Sequence, residues 1–342
     1  MRKGNGNGLL LAAAGAGALL AARELIRRSR RYDMRGRVVL ITGGSRGLGL
    51  VLARELAREG ARLAICARDA EELDRARHDL EQRGAAVYAT ACDVTNQFEV
   101  EGMVREVTDH YGRIDVLINN AGVIEVGPME VMTLRDYEHA MKTHFWGPLY
   151  SVLAVLPHMK ERGEGRIVNI SSIGGKISVP HLLPYSASKF ALVGLSEGLR
   201  AELAKDGIVV TTVCPGLMRT GSPRNAVFKG QHKAEYAWFT ISDSLPVTSM
   251  RAERAARQVI AACKRGDAEV VLSIQAKLAA LFHGVFPGVT ADLLGLANRL
   301  LPGPGGIGKG RALGEESQSA LAPSFLTALS DQAARENNEI AS

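Results

Sequence analysis

Tyr185 and Lys189 lie in the run Tyr185-Ser186-Ala187-Ser188-Lys189, at the start of a helical pattern in which an i, i+4 spacing puts both on one face. A phenol with a pKa of about 10 is a poor acid or base at neutral pH. A neighbouring ammonium stabilises the phenolate and draws that pKa toward the working range. Ser171-Ser172 closes an apolar run thirteen residues before Tyr185. Neighbours on a strand face opposite ways, so one of the two hydroxyls, Ser171 or Ser172, is a candidate to share a site with Tyr185. This grouping suits proton transfer to or from an oxygen atom.

A second grouping lies near the start of the chain. Thr42-Gly43-Gly44-Ser45-Arg46-Gly47-Leu48-Gly49 follows an apolar run and precedes the helical pattern Leu50 to Arg58. Glycines there let the backbone turn tightly and approach a pyrophosphate at a helix N-terminus, where free N–H groups and the helix dipole favour negative charge. The next apolar run ends in Cys66-Ala67-Arg68, with Asp69 one step later. No carboxylate stands where an unphosphorylated ribose would be read. Arg46 and Arg68 instead offer two guanidiniums that match a phosphate bidentately, so NADP(H) is expected over NAD(H). The competing reading makes Arg68 a solvated turn residue and swings Asp69 inward.

Asp93-Val94 and Asn119-Asn120-Ala121-Gly122 follow the next two apolar runs. The order of these motifs, from the glycine loop through Asn119–Gly122 to Ser172 and the Tyr185/Lys189 pair, resembles the short-chain dehydrogenase/reductase family over roughly residues 36–275. The resemblance implies a cofactor site built from Gly43, Ser45, Arg46, Gly47, Leu48, Gly49 and Arg68. Asp93 and Val94 would lie at the adenine, and Asn119, Ala121 and Gly122 by the nicotinamide ribose. Lys189 would bond that ribose, Tyr185 would act as general acid/base and Ser172 would hold the substrate oxygen. Pro215, Gly216 and Met218, in Cys214-Pro215-Gly216-Leu217-Met218, would lie along the nicotinamide. The family's fourth catalytic residue, an Asn in an NxxG pattern that holds a relay water, is His144 in His144-Phe145-Trp146-Gly147. A neutral imidazole also donates and accepts hydrogen bonds, so His144 is expected either to take over that role or to pack in an enzyme with a weakened relay. The family also implies a homo-oligomer.

From Arg37 onward, short β-branched runs alternate with helical patterns, the signature of βαβ units. The expected strands are Val38–Ile41, Arg62–Ala67, Ala86–Ala91, Val116–Asn119, Arg166–Ser171, Ile208–Cys214 and Glu269–Leu272. Their unbroken apolar character predicts a parallel sheet covered on both faces, a Rossmann-like three-layer α/β sandwich with its site at the carboxyl ends of the strands. Phe228, Tyr236, Trp238 and Phe239, with Val179, Leu182 and Leu183, suggest a mobile lid over an apolar pocket and hence a lipophilic carbonyl or alcohol substrate. The opposing reading is a helical cover packing on itself.

Composition narrows the remaining classes. The apolar fraction of 46% and the charged fraction of 23% are those of a folded globular chain. The net charge of +6 is local, because residues 1–37 carry nine basic side chains against two acidic ones and leave the remainder near neutral. No basic face with interleaved aromatics follows, so nucleic acid is not a partner. Cys66, Cys92, Cys214 and Cys263 form no CxxC pair, and the histidines have no metal-ligand spacing, so reduced thiols and no metal site are expected.

Residues 1–35 read as an apolar and basic extension, 36–275 as the catalytic domain, 276–310 as a helical extension and 311–342 as a flexible polar tail. The apolar run Leu9–Ala22 is 14 residues long, short of the roughly 20 that span a bilayer. With Arg23–Arg31 behind it, residues 9–31 either attach a cytoplasmic protein to the cytoplasmic face of a membrane or pack as a helix on the domain or a partner subunit. These expectations add up to an NADPH-dependent oxidoreductase. The alternative is a non-catalytic NADP(H)-binding protein, motivated by His144. Epimerase or lyase chemistry would need a larger C-terminal domain than the residues after 275 supply.

Overall fold

The structure, a computed structural model, describes Gly15, Gly17 and residues 32–340; the expected membrane or packing role of residues 9–31 lies outside the described residues. Seven parallel strands make the central sheet: β1 Val38–Thr42, β2 Arg62–Ala67, β3 Val87–Ala91, β4 Val116–Asn119, β5 Gly165–Ile170, β6 Ile208–Pro215 and β7 Glu269–Leu272. Their order is β3-β2-β1-β4-β5-β6-β7. The chain builds outward from β1 to β3 and then crosses back to β4. The topological switch point, where an open α/β sheet holds its ligand, therefore falls between β1 and β4.

The helices are α1 Gly47–Arg58, α2 Ala70–Gln82, α3 Gln97–Tyr111, α4 Leu134–Met141, α5 Gly147–Arg162, α6 Leu183–Leu203, α7 His232–Ser244 and α8 Ala252–Arg265. Alternation along β1 shows how the sheet is covered. Val39 and Ile41 join one core with Leu50 of α1, Leu73 of α2 and Val259 of α8. Val38 and Leu40 join the other with Val104 of α3 and Val155 of α5. Every residue of β1 is buried, and each such Leu, Ile or Val contributes on the order of 1.5–3 kcal/mol. A strand buried on both faces has no polar side to show, which is why its run is continuously apolar.

The residues after β7 form a helical hairpin, α9 Ile274–Val285 and α10 Pro287–Asn298, then a long ordered segment ending in α11 Ala328–Glu336. Pro287 starts α10 because a first-turn proline gives up an N–H that has no helical partner. Leu278, Leu281, Leu293 and Leu300 of this region are exposed.

Two expectations are corrected here. The polar stretch expected as a flexible tail is packed onto the domain over residues 311–340, with Ser317, Thr327, Ser330 and Asn337 buried. Its polar side chains are partners rather than signs of disorder: Ser317 Oγ donates to the Leu313 carbonyl at 2.7 Å, and Ser330 Oγ bonds Asp243 at 3.2 Å. The aromatic lid, in turn, closes on itself. Phe228, Tyr236 and Phe239 are buried in one cluster with Ala322 of the C-terminal segment, their rings meeting edge to face at 5.4 and 6.0 Å. Of the four aromatics, only Trp238 is not fully enclosed.

Candidate active site

β5 delivers Ser171 and Ser172 to the carboxyl edge of the sheet, and the two hydroxyls part there. Ser171 Oγ donates to the Lys189 carbonyl at 3.0 Å, a purely architectural contact. Ser172 caps a short helical turn by accepting from the Gly174 N–H at 3.0 Å, and its hydroxyl bonds Tyr185. Pro184 in the first turn of α6 fixes where that helix begins, and one turn carries Lys189 from Tyr185 to a point 5.6 Å from the phenol ring centroid. The Lys189 ammonium donates to the Ile170 carbonyl at 2.9 Å.

Burial dominates the electrostatics of this pair. It raises the Tyr185 phenol above its usual value, with the Ser172 bond opposing the rise. It also draws the Lys189 ammonium down to about 7. The expectation that Lys189 lowers the phenol is thus not met in this arrangement. Both groups are desolvated, and the ammonium is spent on a backbone carbonyl. At neutral pH Tyr185 is a protonated phenol, the form that can donate.

His144 lies in a π-turn, Lys142–Trp146, inserted between α4 and α5; such bulges recur at functional sites. Its Nε2 accepts the Val123 N–H at 3.0 Å. The proton therefore sits on Nδ1, which faces Ser188 Oγ at 2.8 Å, while Ser188 Oγ donates to the Tyr185 carbonyl at 2.8 Å. Burial and the Lys189 charge hold His144 well below its usual pKa, so it is neutral. Both ring nitrogens are engaged in tying the turn after β4 to the helix of Tyr185. Of the two roles open to His144 in the sequence, relay or packing, this engagement of both ring nitrogens favours a positioning one.

At the switch point, the loops after β1 and β4 are stitched together. Asn120 Nδ2 donates to the Thr42 and Gly43 carbonyls at 3.1 and 2.9 Å, and the Asn120 and Ala121 N–H groups both donate to Thr42 Oγ1. Gly43 has φ of 65°, and a Cβ there would stand 2.8 Å from Ala121 Cα; one on Gly49 would be 1.9 Å from the Gly43 carbonyl. Gly47 and Leu48 open α1. The loop is therefore a bare-backbone cradle at a helix N-terminus, which suits an anion.

At the end of β2, Asp69 does not swing inward. It caps α2 by accepting the Glu72 N–H at 2.8 Å. Arg68 is exposed, and Arg46 pairs with Glu72 at 2.7 Å. Asp93 accepts the Thr95 N–H at 2.9 Å and Val94 is buried beside it. Asn119 donates to Asn169 at 2.8 Å, leaving its own Oδ1 buried without a partner. Gly122 abuts His144 Nε2, Pro215 pairs with Leu272, Gly216 lies against Ser273, and Met218 sits in a short strand paired with Met250. All of these residues collect along one sheet edge. A dinucleotide fits the groups gathered here: a glycine cradle without room for a Cβ, the exposed guanidinium of Arg68 and the Asn119 amide oxygen, an acceptor without a partner among the described residues.

Sequence reasoning missed Asn120 as the stitch, Ser188 as the link between His144 and α6, and Glu72 as the partner of Arg46. It also missed Asn337, Asn338 and Glu339 of the C-terminal segment, which lie at the glycine loop. Among the described residues, no group of three or more His, Cys, Asp or Glu is placed to hold a metal, and no helix is long and apolar enough to cross a membrane.

A Rossmann-type sheet with a glycine cradle at its switch point and a Ser–Tyr–Lys group beside it defines a nicotinamide-dependent oxidoreductase. The short chain dehydrogenase family model matches residues 37–228, and the chain belongs to that family of NAD(P)-binding oxidoreductases. It is 42% identical over 185 residues to a putative ketoacyl reductase of Streptomyces coelicolor, covering 54% of this chain and 71% of that one. It is 35% identical over 245 residues to the putative oxidoreductase SadH of Mycobacterium tuberculosis, covering 71% and 88% respectively. Among solved structures, a variant of actinorhodin polyketide ketoreductase with NADPH superposes with a TM-score of 0.63 at 34% identity, covering 69% of this chain and 95% of that one. A Burkholderia cenocepacia gluconate 5-dehydrogenase in complex with NADP and tartrate gives 0.63 at 28% identity, covering 72% and 97%.

Proposed function

We propose that this enzyme is an NADPH-dependent reductase of a lipophilic carbonyl compound, with Tyr185 as its general acid. The observation that carries the reading is the convergence of Ser172, Tyr185 and Lys189 at the carboxyl edge of the sheet, with the phenol held protonated by burial. NADPH supplies a hydride to the carbonyl carbon when bound. Ser172 Oγ orients the carbonyl oxygen and Tyr185 gives that oxygen its hydroxyl proton as charge develops there. The phenolate left behind faces the Lys189 ammonium. His144 contributes by position, fixing the Val123 turn against α6 through Ser188.

Several observations support the choice of cofactor. Arg68 is exposed beside the cradle, Asp69 is spent on a helix cap, and two of the related structures hold NADPH or NADP. For the substrate, the ketoacyl reductase name among the relatives points to a carbonyl, and Val179, Leu182 and Trp238 give the space beside Tyr185 an apolar side.

The test is Tyr185→Phe, assayed by NADPH oxidation against a panel of lipophilic ketones, with cofactor binding followed by fluorescence. Turnover is expected to fall by about 10²–10⁴-fold with NADPH affinity unchanged. A variant that turns over like the parent overturns the assignment, and a parent that binds NADPH but reduces no carbonyl returns the protein to a non-catalytic binding role.

A further inference from the structure

The cradle that Gly43, Gly47 and Gly49 keep clear of side chains is already engaged by the protein itself. α11 runs along the loop after β6 so closely that a Cβ on Gly221 would stand 2.3 Å from Ala334 Cα. The chain then turns at Asn338, a non-glycine residue with φ of 57°, and lays three consecutive residues over the glycine loop. The Asn337 carbonyl accepts the Gly47 N–H at 2.9 Å, at the opening of α1. Asn338 Nδ2 donates to the Ser45 and Glu72 carbonyls, both at 2.9 Å, and Asn338 Oδ1 accepts from Arg75 at 3.0 Å. The Glu339 carboxylate reaches Arg46 at 3.5 Å and accepts from Asn225 Nδ2 at 2.6 Å. A Cβ on Gly47 would stand only 2.6 Å from Glu339 Oε1.

These contacts copy the chemistry that an anion would find there. A carbonyl takes the N–H at the helix N-terminus, and a carboxylate stands by the arginine expected to read a phosphate. The groups that would hold the phosphates are held by the tail, while among the described residues none of the tail's hydrogen bonds reaches Ser172, Tyr185 or Lys189.

We propose that residues 328–340 are a built-in competitor of the dinucleotide, capping the glycine loop in the cofactor-free enzyme and leaving it when NADPH enters. This rests on the dinucleotide reading of the cradle given above and adds its regulation. The cap is suited to leaving. It is held mainly by polar contacts that water can replace, and burial of the Glu339 carboxyl, at 4% side-chain exposure, lifts it to about 7, the mark of a group that gains little by staying charged in place. A population held capped lowers apparent affinity by the fraction that remains open.

The experiment compares NADPH binding by three proteins: the full chain, a chain ending at Leu326, and full-length Asn338→Val. The last keeps every other residue but places a β-branched side chain at positive φ and removes the three Asn338 bonds, so it serves if the shortened chain folds poorly. Both variants are expected to bind NADPH at least about ten-fold more tightly than the full chain. A synthetic peptide of residues 328–342 added to the shortened chain should weaken binding again, competitively with NADPH. Equal affinity in all three proteins overturns the cap alone. No binding by either uncapped variant overturns the dinucleotide reading, and the cap with it.

Discussion

The two ends of the crevice are finished differently. At the proton-handling end, Ser172, Tyr185 and Lys189 are set by the body of the fold, from β5 and its pairing with β6, from α6 and from the His144–Ser188 link. At the phosphate-handling end, the same sheet edge is completed by residues from the far end of the chain, Asn337 to Glu339. The first is pre-assembled and the second is occupied. Chemistry demands fixed geometry in the groups that move a proton, whereas a cofactor site only needs its donors free at the moment of binding, so that is the end where a fold can place a removable segment.

The contrast can be pressed hardest at His144. His144→Ala leaves the Val123 N–H without its acceptor, removes the bond to Ser188 Oγ and opens a cavity, so it should cost on the order of 3 kcal/mol of stability, read as a drop of several degrees in Tm. At the same time it should lower kcat without adding or removing an ionisation in the pH–rate profile. A changed profile would make His144 a proton carrier instead of a positioning residue.

At the other end, Arg68→Ala should weaken NADPH binding by about ten-fold, the value of one charge-assisted contact, and leave NADH binding unchanged. Equal losses for the two cofactors would show that Arg68 does not read a phosphate.

A smaller effect is expected from pH. Burial raises the carboxyls of Glu339 and Asp243 to about 7 each. Arg46 and Asn225 oppose the rise at Glu339 while Glu72 adds to it; Ser330 and Arg219 oppose it at Asp243 while Glu339 adds to it. Both folded values lie above the ordinary carboxylate range, so the docked segment binds protons that a released one gives up. Docking is therefore strongest at low pH and weakens as pH rises toward about 7. Apparent affinity for NADP⁺ should improve a few-fold between about pH 6 and pH 8 in the full chain and much less in a chain ending at Leu326. The same pH response in both would detach those carboxyls from the cap.

Much of the proton-handling end was legible in the sequence because it is local. The i, i+4 spacing of Tyr185 and Lys189, the strand-ending Ser172 and the apolar runs of the sheet are short-range patterns. The seven expected strands fall within about a residue of those found, and the central ones, buried on both faces, leave continuous apolar runs. What the sequence did not show is long-range or set by burial. Nothing in the polar run Glu336–Glu339 marks it as the partner of a loop near residue 46, since Asn and Glu in a terminal stretch suggest solvent until a buried surface is there to receive them. The direction of the Tyr185 shift is not legible for a related reason: spacing reveals an ammonium nearby, but not that the site is dry enough for desolvation to win. Phe228, Tyr236 and Phe239 suggested a lid because their mutual packing, with Ala322 from a distant segment, is invisible in one dimension.

The most direct test is hydrogen exchange at the amides of Gly47 and of residues 333–340, measured with and without saturating NADPH, with the amides of 170–189 as the internal reference. On addition of NADPH, residues 333–340 should lose their protection while 170–189 keep or gain it. If residues 333–340 stay protected with NADPH fully bound, the segment is a fixed part of the fold, and the contrast between a pre-assembled and an occupied end fails.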